Sequence, residues 1–234
     1  MRMLKLVSAI VVVGALHVLS APRVGAATIL SEDFNYVPGG LTGAGWIITN
    51  NSDPSGSTSW FQGNAGVFPA QEGAPNAYAA ANYLAAAVGG NVSLWLILPQ
   101  LTLTGDESLT FFTRTESSDF GDGLEVRYSA NLASSDVGTA TDSVGDFTTV
   151  LLAINSYPET WTQYSISLLG LSGTSGRLAF RYLVTDTSVN GDYIGIDTLR
   201  VSSSSTAPVP EPATLTLVGL GIAVARCRLR RSRA

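Results

Sequence analysis

Apolar and polar side chains alternate with a period of two through much of the chain. Leu101-Thr-Leu-Thr104 alternates up to a Gly105-Asp106 turn, and Ser108-Leu-Thr-Phe-Phe-Thr-Arg114 continues beyond it. Leu124–Ser129, Trp161–Leu168, Arg177–Val184 and Tyr193–Val201 repeat the pattern, with Gly, Asn, Asp and Ser clusters between them. Short alternating runs separated by turn residues predict an all-β fold, a two-sheet antiparallel sandwich. Ala77–Val88 stands apart: it is rich in alanine and lies between Pro75 and Gly89-Gly90. It reads as a covering segment with little helix. No internal repeat is visible.

Both ends depart from this pattern. Arg2 and Lys5 precede an apolar stretch, Leu6–Leu19, and the small residues Val24–Ala27 follow it. That order is a secretory signal peptide over residues 1–27. The working domain then spans residues 28–203, and a polar, proline-containing linker covers 204–208. The tail, 209–234, opens with Val209, Pro210, Glu211 and Pro212. An apolar run, Leu215–Ala225, comes next, and Arg226, Arg228, Arg230, Arg231 and Arg233 close the chain. A comfortable span needs about 20 apolar residues, so the run predicts a short hydrophobic sorting helix. It would anchor transiently in the inner membrane, with its arginines held on the cytoplasmic side.

Charge changes the picture once the ends are set aside. The domain keeps five arginines, no lysine and 17 carboxylates, a net charge of −12. Such a surface repels phosphate backbones and argues against a nucleic-acid partner. The single histidine, His17, lies in the signal segment, and the single cysteine, Cys227, in the basic tail. A Ser-His-Asp triad, a cysteine nucleophile, a disulfide and a His- or Cys-ligated metal are therefore all excluded from the domain. Any catalysis would have to use carboxylates, hydroxyls, tyrosines and arginines.

Pro210-Glu211-Pro212 with its apolar and basic flanks resembles the PEP-CTERM sorting signal of Gram-negative bacteria. The resemblance implies export and processing by an exosortase-type membrane protease. Within the domain, Ser31-Glu-Asp-Phe34, Gly45-Trp46, Ser59-Trp60, Asn82-Tyr83, Ser93–Pro99, Leu109-Thr-Phe111, Leu124-Glu-Val126, Trp161–Tyr164, Ala179–Tyr182 and Tyr193–Asp197 follow in order. That series is similar to the choice-of-anchor J domains, relatives of the cleaved-adhesin and MAM-like jelly rolls. The implied fold is a jelly-roll β-sandwich. The implied cofactor is a structural Ca2+ between the opening acidic pair, Glu32 and Asp33, and Asp197 on the closing strand. Calcium takes six to eight oxygen ligands. Thr198 stands where the family often has a second Asp, which removes one carboxylate, and Leu94 stands where it often has a polar residue.

Two further features attract attention. Ser118–Glu125 places Asp119, Asp122 and Glu125 around a glycine turn, but the spacing matches neither an EF-hand nor the paired carboxylates of jelly-roll glycosidases. It reads as a solvated turn, as does Asp186–Asp192. Among the tryptophans, Trp95 and Trp161 sit in strand patterns and are expected in the core. Trp60, in a Gly/Ser-rich stretch, is the expected surface platform for a ligand. The whole predicts an exported cell-surface or matrix protein whose partner is extracellular polysaccharide or a surface protein, a non-catalytic adhesion or glycan-binding module. A carboxylate-dependent glycan hydrolase or lyase is one alternative. A structural surface protein binding divalent cations is another.

Overall fold

The computed structural model describes residues 26–204, and these form one compact unit. The signal segment, the sorting motif and the basic end lie outside the described residues. Among the described residues no helix is long and apolar enough to cross a membrane. In chain order the strands are β1 (Ala27–Glu32), β2 (Ile47–Asn50), β3 (Asp53–Ser55), β4 (Phe61–Gln62), β5 (Ala79–Asn82), β6 (Ala86–Ile97) and β7 (Leu101–Thr102). They continue with β8 (Glu107–Thr115), β9 (Gly123–Ser129), β10 (Thr149–Ile154), β11 (Thr162–Ser167), β12 (Ser175–Val184) and β13 (Tyr193–Ser203). One short helix, α1 (Gly39–Gly43), follows β1.

The strands make two antiparallel sheets. The first runs β11-β8-β13-β5-β4, with β1 also paired to β13; the second runs β10-β9-β12-β6-β2, with β3 on β6 and β7 on β12. The runs Ser108–Arg114, Leu124–Ser129, Trp161–Leu168, Arg177–Val184 and Tyr193–Val201 all become strands as their alternation predicts. Along β8 the alternation is complete: Leu109, Phe111, Thr113 and Thr115 point inward and are buried, with half-buried residues between them. Leu109 and Phe111 meet Leu178, Phe180 and Tyr182 of β12 and Leu94, Leu96 and Leu98 from the β6 segment in the core between the sheets.

Ala77–Val88 is corrected by the structure. It supplies β5, a tight 3-10 turn at Tyr83–Ala85 and the start of β6. The alanines have a steric reason. β5 is covered on both faces: Ala79 and Ala81 pack into the main core, while Ala80 lies under a second cluster of Phe68, Tyr78 and Tyr193. A strand closed in on two sides has little room for larger side chains, and its sequence then shows no alternation to read.

Loops cover the outer faces of both sheets. Residues 63–78 lie over the first sheet, where Phe68 stacks on Tyr78 and meets Trp161 and Tyr193 edge-on. Residues 130–148 lie over the second, where Val137 and Phe147 cap Trp95 and Ile97. Arg181 sits over the Trp95 ring and pairs with Glu125. Trp95 is thus fully buried but outside the main core, and Trp161 is half-buried beneath the first loop.

The chain ends of the domain meet. Ala27 pairs with Ser203 and Glu32 with Leu199, so β1 and the last part of β13 share one pole of the sandwich. The other end of β13, Tyr193, begins roughly 30 Å away at the opposite pole, where the loops after β8 and β12 converge.

Candidate functional site

The three residues expected to ligate calcium are close in sequence or register but do not form a shared shell. Glu32 Oε1 accepts the Phe34 N–H at 2.8 Å. Asp33 is drawn to Arg200 Nη2 at 2.5 Å, a close ion pair without hydrogen-bond alignment, and its side chain is 46% exposed. Asp197 is fully buried and accepts the backbone N–H groups of Gln71, Glu72 and Thr198 at 2.8, 3.2 and 2.6 Å. Burial pushes its carboxyl up to about 6, partly offset by those three donors. Thr198 donates its hydroxyl to Gln71 Oε1. Each acidic group therefore already has a structural task, and among the described residues no three His, Cys, Asp or Glu side chains gather as a metal-holding group. The placement does not fit a calcium shell at this point. Asp197 instead fastens the 63–78 loop to the sheet.

Trp60 is also corrected. It is 1% exposed and belongs to the main core, with its Nε1 buried and without a partner. The neighbouring Phe61 is the outward residue, packed beside Tyr193. A two-residue strand in a polar stretch carries too little periodicity to show which of two adjacent aromatics faces in.

Besides Tyr36, two exposed aromatics stand together at the loop pole. Tyr83, in the turn after β5, and Phe120, in the turn after β8, are 37% and 43% exposed. Together with Thr187–Asp192 they line one groove of about 360 Å3. Val189, 68% exposed, stands at its edge. The two segments read as solvated turns from sequence are thus brought together. Gly191 donates to the Phe120 carbonyl at 2.6 Å, Tyr83 N–H to the Asp192 carbonyl at 3.1 Å, and Ser117 N–H to Asp192 Oδ2 at 3.0 Å. Gly191 has a φ of 87°, and a Cβ there would come within 3 Å of both Tyr83 and Val184. Only glycine lets the loop pass so close.

Asp122 anchors this pole from below. It is 3% exposed and accepts hydrogen bonds from Tyr182 and from the Asp192 backbone. Burial raises its carboxyl above the usual range, against the donors that lower it. Burial also pushes Asp192 up to about 6, with the nearby Glu116 and Asp122 charges adding to the shift. Glu116, Asp119 and Asp186 complete an acidic surround, and none of the residues lining the groove is cationic.

Beside the same loop lies a polar cleft of about 550 Å3 on the second sheet. Asp53, Asn91, Thr141, Asp142, Arg181 and Thr185 supply its polar groups. Arg181 is held by Ser93 Oγ, Glu125 and the Thr141 carbonyl, so each of its three nitrogens has a partner. Sequence reasoning missed both depressions. Tyr83 was hidden in an alanine-rich segment and Phe120 in a glycine turn; their exposure depends on contacts between distant loops.

The PEP-CTERM protein-sorting motif matches residues 208–231. No curated protein matches the sequence. The domain is similar to the K3 and K1 cleaved adhesin domains of Lys-gingipain from Porphyromonas gingivalis W83, with a TM-score of 0.54 and 21% identity for each. The matches cover 76% and 74% of this chain and 99% and 97% of those domains. The K2 domain of the same protein matches at 0.52 and 17% identity, over 74% of this chain and 98% of its own. At these identities the likeness is one of fold. The chain carries a PEP-CTERM sorting motif behind a β-sandwich with the fold of the cleaved adhesin domains.

Proposed function

We propose that the mature protein is a non-catalytic adhesion module of the cell surface or extracellular matrix, and that it holds a glycan in the groove between Tyr83 and Phe120. One observation carries the reading: two exposed aromatics, Tyr83 and Phe120, line one groove at the pole opposite Ser203, where the chain leaves the domain toward its sorting motif. Flat aromatic faces beside hydroxyl and amide groups suit the apolar faces and hydroxyls of a sugar ring. The sorting motif supports export and processing by an exosortase-type enzyme, with passing attachment to the inner membrane through the tail.

The test uses the compact domain, residues 27–204, mixed with extracellular polysaccharide from the producing cells. Co-sedimentation that weakens in Tyr83→Ala and in Phe120→Ala, with glycan chain length unchanged, is the expected result. Shortened glycan would turn the reading toward hydrolysis or lysis. Absence of binding to any glycan would sink it.

A further inference from the structure

The charge around the groove narrows what it can hold. Asp192 forms part of its wall, Asp122 lies beneath, and Glu116 and Asp119 stand exposed on the segment that carries Phe120. Arg114, the cation on the adjoining strand, is turned away: its guanidinium lies over the Phe68 ring at 4.2 Å, and its Nε donates to the Thr115 carbonyl. A carboxylate or sulfate on a ligand would therefore meet like charge with no compensating donor of opposite sign. Hydroxyls fare differently. Asp192 uses Oδ2 for the Ser117 N–H and keeps acceptor capacity, and Asn190 keeps its side-chain oxygen while its Nδ2 donates to the Thr185 carbonyl.

We propose that the groove selects uncharged sugar units, stacking them on Tyr83 and Phe120 and accepting hydrogen bonds from their hydroxyls at Asp192 and Asn190, and that it excludes uronate or sulfated chains. This rests on the glycan-binding reading above and assigns the class of sugar. Acidic matrix polymers would then pass the module by, while neutral stretches would be held.

The experiment compares soluble neutral galactan, galactomannan, xyloglucan and dextran with polygalacturonate and alginate, by affinity electrophoresis and calorimetry on residues 27–204. At low ionic strength, at least one neutral polymer should bind at least roughly tenfold more tightly than either polyanion. Binding to it should hold nearly constant from low salt to about 0.5 M, because its units carry no charge to screen. The double variant Glu116→Gln/Asp119→Asn, which changes two exposed residues outside the lining, should raise polyanion binding and leave neutral binding in place. Equal or tighter polyanion binding overturns the selectivity while leaving glycan binding intact. Failure of every polymer, neutral and charged, removes the parent reading and this one with it. Neutral binding that survives both Tyr83→Ala and Phe120→Ala would relocate the site and refute the groove.

Discussion

Tyr182 donates its buried hydroxyl to Asp122, and that contact joins the main core to the loop pole. The same carboxylate accepts the Asp192 N–H at 3.1 Å and lies 3.4 Å from the Thr115 hydroxyl. A single buried group thus ties β8, β12 and the two groove loops. Tyr182→Phe should cost about 1–3 kcal/mol, because it takes a donor from a desolvated carboxylate. Hydrogen exchange should speed up in residues 117–122 and 187–192 more than in the sheets. Uniform acceleration would show that Asp122 has no special hold on the pole.

Acid should stabilise this domain over part of its range. Asp192 and Asp197 both have carboxyls pushed up to about 6 by burial, against an ordinary value of 3.8. The folded state therefore binds more protons than the unfolded one between those values, and stability falls as pH rises through that window. Glu107, lowered by its bonds from Thr104 and Gly105 against its own burial, acts in the opposite sense, below the ordinary glutamate value. Melting temperature should rise from pH 7 to about 5 and fall again below about 4. For the fully buried Asp197 the contribution is on the order of 2 kcal/mol. A melting temperature flat from pH 5 to 7 would contradict the argument.

Asp197→Ala tests the loop fastening directly. It strands the N–H groups of Gln71 and Glu72 against the sheet, so a loss of about 2–4 kcal/mol is expected. Proteolysis within residues 63–78 should become faster. Glycan binding should persist at temperatures where the variant is folded, since the groove lies elsewhere.

Trp60→Ala should cost about 3–5 kcal/mol as a core cavity. Ala80→Leu should cost about 1–3 kcal/mol, by forcing β5 against Phe68 and Tyr78. Chemical denaturation measures both. A near-neutral Trp60→Ala would restore that residue as a surface group.

The contrast between Ala80 and Leu109 shows how far the sequence could be read. Leu109 lies on a strand with one face to the core and one half-covered, so its alternation survives in the sequence. β5 is closed on both faces and selects for smallness, which mimics helix propensity rather than strand pattern. The sandwich was legible because most strands are of the first kind. The groove was not, because Phe120 and Gly191 meet only after their loops converge across many residues of chain. Paired carboxylates in turns carry no mark that they will be buried. Asp122 and Asp119 look alike in sequence, yet one is enclosed and the other is exposed.

β13 reaches from the groove wall to the point where the chain exits, with β8 and β5 hydrogen-bonded along its first part and β8 and β1 along its last. When a bound polymer pulls on the groove and the C-terminal side is retained, the tension runs along this strand from Tyr193 to Ser203. Load entering through Tyr83 after β5 and Phe120 after β8 crosses to β13 by ladder bonds that lie across that direction, so it shears them as a set instead of peeling them open one at a time. A domain stretched between these two points should bear distinctly higher force before yielding than one pulled across its sheets.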